Sequence, residues 1–407
     1  MTISRRSFLG STAALAAMAC GGRRARQALV TTRGGSVVPP PPPPPPGVTP
    51  HYLVLVTLRG GFDNVMSLAP KEQDSVGDKI YCGYRADERV RGSKRMFGPL
   101  IDGLVRHDDD LCIIHGVRSD TTNHPDGLAM LARGSRSSRP GEIAATLAEQ
   151  LAGTAPLPTL DLATADGQLA LNDAPRPSWA DLRAQAQRSQ LAALAASEPD
   201  ARVLGRSAET SATLEKFLDE TKHDSDALDT KFSGFMSRHF RLAYQAIRGN
   251  WAKCVQIGCL INYFDSHSDN VRYQRERQPS TFKDLATFID LLKATRNDHG
   301  ALFDQTTIAV YSELGRFPRL NAQAGKDHFP ENSWLMLGKG VARGTTIGGL
   351  DNRGKGVDVD FRTGQPSQDH SRPIYLENGF ATLVAIAGGD PIKAGYAKDS
   401  VLSCVQS

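Results

Sequence analysis

Asp63, Asp265 and Glu313 each stand just beyond an apolar, β-branched run, and a histidine accompanies two of them: His267 beside Asp265, and His328 after Glu313. Carboxylate and imidazole are both metal ligands. In open α/β sheets the working residues sit just past the carboxyl ends of the strands, so this recurrence suits a hard-metal or phosphoryl-type site. In Asp265-Ser266-His267, residues i and i+2 of an extended segment face the same side. Ser312-Glu313-Leu314-Gly315-Arg316 adds a guanidinium able to grip an anion through two N–H groups, and Lys326-Asp327-His328 follows on a Gly- and Asn-containing loop. Each motif also has a plainer reading. Asp63 could cap a helix after the Gly60-Gly61 turn, Asp265-Ser266-His267 could be a surface turn, and Glu313 could pair with Arg316. His124, after Asn123, could converge on the same sheet edge or simply begin a helix.

The elements that must position these residues are short buried strands and the helices between them. Tyr52–Leu58, Leu111–Val117, Val255–Phe264 and Thr307–Ser312 read as parallel strands buried on both faces. Residues 125–133 suit a helix closed by Gly134. From 179 to 250 the chain reads as mostly helical. Leu182, Leu191, Leu194, Leu214, Phe217, Leu218, Leu228, Phe232, Phe235 and Met236 recur at helical spacings, interrupted by Pro199. A further helix over 282–296, with Thr281 and Asp284 as its N-terminal cap, leads into the Thr307 strand, a βαβ crossover that demands a parallel sheet. A strand at Trp334–Leu337 and a helix around Phe380–Ala387 complete the pattern. The expected fold is α/β, a mostly parallel central sheet flanked by helices, over residues 51–407 with a helical insertion at about 175–250.

The chain's formal charge of +4 comes from its start. Residues 1–50 hold six arginines and no acid, leaving 42 basic against 44 acidic side chains in the rest. No basic surface for nucleic acid is implied. Ser4-Arg5-Arg6-Ser7-Phe8-Leu9, followed by an apolar stretch of about a dozen residues, resembles a twin-arginine export signal and is too short to span a membrane. Residues 1–20 are therefore expected to be a leader handed to the twin-arginine export machinery, delivering the protein to the periplasm or the cell envelope. Ala17-Met18-Ala19 fits simple cleavage and Cys20-Gly21-Gly22 fits lipid attachment, and both stay open. Residues 21–50 read as a tether, since Pro39 to Pro46 is an unbroken polyproline II run that cannot pack a core. The remaining cysteines, Cys82, Cys112, Cys254, Cys259 and Cys404, are odd in number and show neither zinc spacing nor a disulfide framework.

The motif order is specific. Leu-Arg-Gly-Gly-Phe-Asp (58–63), Ile-His-Gly-Val then Asn-His (114–124), Phe-Asp-Ser-His-Ser (264–268), Tyr-Ser-Glu-Leu-Gly-Arg-Phe-Pro (311–318) and Asp-His-Phe (327–329) resemble the exported bacterial family called domain of unknown function 1501, over residues 51–390. That family resembles the alkaline phosphatase and sulfatase superfamily. The resemblance implies a divalent metal held by Asp63, Asp265, His267, Glu313 and His328, with Zn, Ca, Mg and Mn all compatible. Asp63, Glu313 and His328 are expected to be the tightest subset. It further implies an anionic ester substrate, Arg316 neutralising developing charge, and Thr122 or a bound water as nucleophile. Two departures stand out: Leu314 replaces the histidine usual after the late acid, and no hydroxyl clearly matches the nucleophile. The chain is thus expected to be a metal-dependent sulfate or phosphate ester hydrolase, or else a catalytically degenerate binding or assembly protein of the envelope.

Overall fold

The computed structural model describes residues 47–137, 141–162, 212–221, 228, 230–259 and 262–406. All of them belong to the compact unit Pro41–Ser407. The leader, most of the tether, and Leu182, Leu191, Leu194 and Pro199 lie outside the described residues.

Seven strands form the central sheet: β1 (Tyr52–Thr57), β2 (Cys112–Arg118), β3 (Leu157–Asp161), β4 (Ala252–Gly258), β5 (Thr306–Tyr311), β6 (Glu331–Gly338) and β7 (Thr345–Ile347). Their order is β7-β2-β6-β5-β1-β4-β3. Six strands run the same way and only β6 opposes them, antiparallel to both β2 and β5. The carboxyl ends of β1, β2, β4 and β5 and the start of β6 therefore share one edge. Parallel strands carry helices on both faces, and the period-2 alternation of side chains serves both. Val54, Val56, Ile308 and Val310 enter one core, with α3 (Ser237–Arg248) and α4 (Asn270–Ala294). Leu53, Leu55, Ala309 and Tyr311 enter the other, with α2 (Ile143–Gln150) and α5 (Leu376–Ile386). Residues 212–221 are helical, and Leu214, Phe217 and Leu218 bury one stripe in the first core.

Four elements depart from the sequence reading. The strand expected over Val255–Phe264 spans Ala252–Gly258, and Phe264 instead turns back so that its N–H reaches the Arg59 carbonyl at 3.0 Å. The helix expected from Phe282 begins at Asn270 and runs through Pro279. Thr281 and Asp284 are consequently interior residues: the Thr281 hydroxyl bonds the Arg277 carbonyl, and Asp284 accepts the N–H groups of Ser233 and Gly234. Buried glutamines masked the first half of α4, because Gln274 and Gln278 face polar groups near Asp63 where an apolar stripe would be looked for. The short edge strands β3 and β7 carried too little apolar pattern to be read.

Candidate metal centre

Each strand end at the shared edge delivers one part of the site. After β2 the chain passes Thr122 and enters α1 (His124–Arg133), where the Asn123 side chain caps the helix by accepting the Asp126 N–H and sets His124 as its first residue. After β4 come Asp265 and His267, and after β5 comes Glu313. A two-residue antiparallel ribbon, Gly315–Arg316 against His328–Phe329, brings His328 back just before β6. Two glycines permit this convergence. Gly60 sits at φ +100°, where a Cβ would lie 2.6 Å from the Asp265 backbone nitrogen, and Gly127 lets α1 pack onto Glu313, a Cβ there coming within 3.0 Å of the Glu313 Cβ.

The Asp265 carboxylate is ringed by three imidazole Nε2 atoms. His267 lies 3.2 Å from Oδ1, His328 3.5 Å from Oδ1, and His124 3.4 Å from Oδ2. Ligand atoms of His124, Asp265 and His328 all fall within 4.8 Å of one another, and the His267 and His328 Nε2 atoms are 2.8 Å apart. Every ring is held from behind through Nδ1. His124 reaches Glu313 Oε1 at 2.7 Å, His267 reaches Asp327 Oδ1 at 3.2 Å, and His328 reaches the Thr122 carbonyl at 2.6 Å. Carboxylates and carbonyls only accept, so each Nδ1 is the donor and the neutral form of each ring presents a bare Nε2 lone pair to the centre. Nδ1 anchoring of this kind is how metal-ligating histidines are oriented.

The charges are strongly coupled. Burial opposes ionisation of Asp265, but hydrogen bonds from His124 and His328 and the nearby Arg316 charge hold its carboxyl well below the usual carboxylate range. Burial likewise disfavours the His124 cation, yet hydrogen bonds and charge from Asp265 and Glu313 raise its pKa to about 9. Four donors about 3.3 Å apart would match a tetrahedral shell with bonds of about 2.0–2.1 Å. His267 and His328 stand near that spacing from Asp265 Oδ1, at 3.2 and 3.5 Å, whereas His124 stands 3.4 Å from the other oxygen, Oδ2, so a four-donor shell needs small shifts of the carboxylate and of the His267–His328 pair, 2.8 Å apart.

The structure thus brings Asp265, His267 and His328 together and adds His124, which the sequence reading had only placed at the same edge. Its signal was position: a histidine at the N-terminus of the helix after β2. Asp327, beside His328, was missed as an anchor. Glu313 stands one step back, its Oε1 shared by His124 and the Gly60 N–H at 2.7 Å and its Oε2 taking the Ser312 hydroxyl. Asp63 is a correction. Its buried carboxylate accepts the Lys326 ammonium at 2.7 Å and the Asn270 amide, while its other oxygen caps Val65, so the capping alternative holds and a lysine stands where a cation was expected. The tightest subset is therefore not Asp63, Glu313 and His328. Arg316 is also corrected: its fully buried guanidinium binds Asp265 Oδ1 and the carbonyls of Lys326 and Gly60, which removes it from any substrate. Thr122 contributes its carbonyl to His328.

Residues 163–363 match the family described as "Protein of unknown function (DUF1501)", the family its motifs resemble, over a narrower span than the motifs suggested. Among solved structures, the chain is similar to the C-terminal periplasmic domain of EcEptC from Escherichia coli in complex with Zn, at 11% identity and TM-score 0.38, covering 89% of each chain. A protein in the alkaline phosphatase superfamily from Vibrio parahaemolyticus is similar at 12% identity and TM-score 0.38, with 86% of this chain and 72% of that one covered. A 2-O GAG sulfatase is similar at 11% identity and TM-score 0.33, with 87% and 73% covered. No curated protein matches this chain. Among the described residues, no helix is long and apolar enough to cross a membrane.

Proposed function

We propose that His124, Asp265, His267 and His328 hold one divalent metal ion and that the chain is an exported hydrolase of anionic esters. The observation that carries this reading is the convergence of three Nε2 lone pairs on one carboxylate, each ring fixed through its Nδ1. Three imidazoles with one carboxylate suit zinc and its transition-metal neighbours better than calcium or magnesium, which prefer all-oxygen shells. A bound metal supplies Lewis acidity to an ester oxygen and to an attacking water.

The chain's own residues divide the remaining work. Glu313, Asp327 and the Thr122 carbonyl orient the rings, and Arg316 clamps Asp265. His267, with about half its side chain exposed, forms the lip through which a substrate enters, whereas the His124 side chain is only 12% exposed and closes the floor. Water is the nucleophile this reading favours, with the Thr122 hydroxyl as the alternative. The twin-arginine leader supports export, with lipid attachment at Cys20 as its variant form.

The degenerate-protein reading has one specific support, the Lys326 ammonium already neutralising Asp63. Elemental analysis of the purified full-length protein separates the two, followed by assays with 4-nitrophenyl phosphate and 4-nitrophenyl sulfate. About one zinc or similar ion per chain, with hydrolysis abolished by His328→Ala, is the expected result. Metal bound at that stoichiometry without hydrolysis of either ester would leave a metal-binding assembly protein. Failure to retain any added divalent ion in equilibrium dialysis would sink the metal centre itself.

A further inference from the structure

A second cleft lies across the Gly315–Arg316/His328–Phe329 ribbon from the histidine cluster. Neighbouring residues of an extended strand project to opposite sides. His328 and Arg316 face Asp265, while Phe329 and Phe317, next along each strand, pack edge to face at 5.9 Å on the other side. They form the apolar wall of a cavity of about 430 Å³, whose rim carries Lys79, Arg319, Arg353 and Lys355 against the single carboxylate of Asp78. That volume falls within the range of small-molecule pockets. Phe317 is 37% exposed, an unusual state for a large aromatic.

The cations line the rim without ion pairs, although Arg319 stands over the Phe317 ring at 5.9 Å and the Lys355 charge is felt by the Glu331 carboxylate. Among the described residues none of the four makes an ion pair, although ion pairs are frequent elsewhere on this surface. The one nearby acid in the 350–356 hairpin, Asp351, is committed to the backbone, accepting the N–H groups of Arg353 at 2.7 Å and Lys355 at 2.9 Å. Those bonds, with Gly354 N–H to the Asp351 carbonyl and the Leu350–Gly356 bridge, fix the hairpin with both cations outward. Pro318 is fixed in turn, its carbonyl accepting the Tyr81 N–H at 2.8 Å. The cleft is therefore preformed, with four like charges on one rim whose mutual repulsion a ligand anion would relieve.

We infer that this cleft binds a small, multiply anionic molecule with an apolar ring face: the ring lies against Phe317 and Phe329, and its anionic groups meet Arg319, Arg353, Lys355 and Lys79. The site is separate from the histidine cluster and does not require a metal. It is tested by calorimetric titration of naphthalenetrisulfonate into the metal-stripped full-length protein, beside naphthalenemonosulfonate (ring with one charge) and inorganic sulfate (charge without ring). The trisulfonate is expected to bind at least tenfold tighter than either control. Arg353→Glu and Lys355→Glu should each weaken it at least tenfold and Phe317→Ala severalfold, whereas Lys283→Glu, on the exposed side of α4, should leave it unchanged. All four variants replace exposed side chains, and circular dichroism verifies their fold. Equal binding of all three probes, or equal loss in the Lys283 variant, would reduce the effect to general surface charge and overturn the inference, as would a trisulfonate affinity unmoved by any variant. Because the protein is metal-stripped, none of these outcomes depends on whether the histidine cluster is catalytic.

Discussion

Glu313 illustrates how a residue can matter to a metal centre without touching the ion. Its side chain is wholly buried, and its Oε1 is the acceptor that fixes the His124 ring. Glu313→Gln keeps the shape but weakens that anchor, so zinc affinity measured by competition with a chelating dye should fall about 10–100-fold with the fold intact. An unchanged affinity would show that His124 is not a ligand. Asp63 and Lys326 make the opposite point. Each is almost completely buried, and the ammonium also reaches the Tyr81 carbonyl at 2.9 Å. Lys326→Met would strand a buried carboxylate and should cost about 3–5 kcal/mol in urea unfolding, while adding Asp63→Asn should recover part of the loss. If the single variant lost less than about 1 kcal/mol, the pair would be no stronger than a surface contact.

At the scale of elements, the site depends on turns more than on the strands that precede them. The Arg59-Gly60-Gly61 turn after β1 passes directly over the backbone of Phe264 and Asp265, and Gly60 uses a left-handed conformation that L side chains rarely adopt. Gly60→Ala should cost about 2 kcal/mol or more, combining backbone strain with a contact that cannot relax. It should also weaken metal binding, because the atom in the way belongs to Asp265. A thermal melt and a metal titration on the same variant check both, and a loss of stability with normal metal affinity would place the strain elsewhere. The strands were legible because they are buried on both faces and so are apolar throughout. The first half of α4 was not, since its inward side is lined by Gln274 and Gln278, whose amides serve the Asp63 region.

Across the whole molecule, buried neutral histidines set the response to acid. Burial pushes the pKa of His115 and of His239 down to about 4, and burial together with Lys339 lowers that of His51 to about 3. The unfolded chain takes up a proton at each near the ordinary value of 6.5, and the folded chain does not until far lower. Stability from these groups is therefore complete above about pH 6.5 and is lost as pH falls toward 4, by up to about 1.4 kcal/mol per pH unit for each histidine. Melting temperatures taken between pH 7.5 and 4.5 should fall, and His239→Phe should flatten the trend, since neither His239 nitrogen makes a hydrogen bond among the described residues. A melting temperature that held steady over that range would rule this out.

Sequence alone determined the parts of this protein that depend on local chemistry: which runs are buried strands, that they run mostly parallel, that acids and histidines crowd one edge, and that an unbroken proline run precedes the domain. Those features follow from periodicity, burial and backbone stiffness, which neighbouring residues encode. Only the tertiary structure decided which acid serves which base. Asp63, Asp265 and Glu313 look alike along the chain, each a carboxylate near the end of a strand. Lys326, Arg316 and His124, at separations of 263, 51 and 189 residues, are what distinguish them. A carboxylate's role is set by the charge that reaches it through space, and the fold, not the spacing, selects that partner.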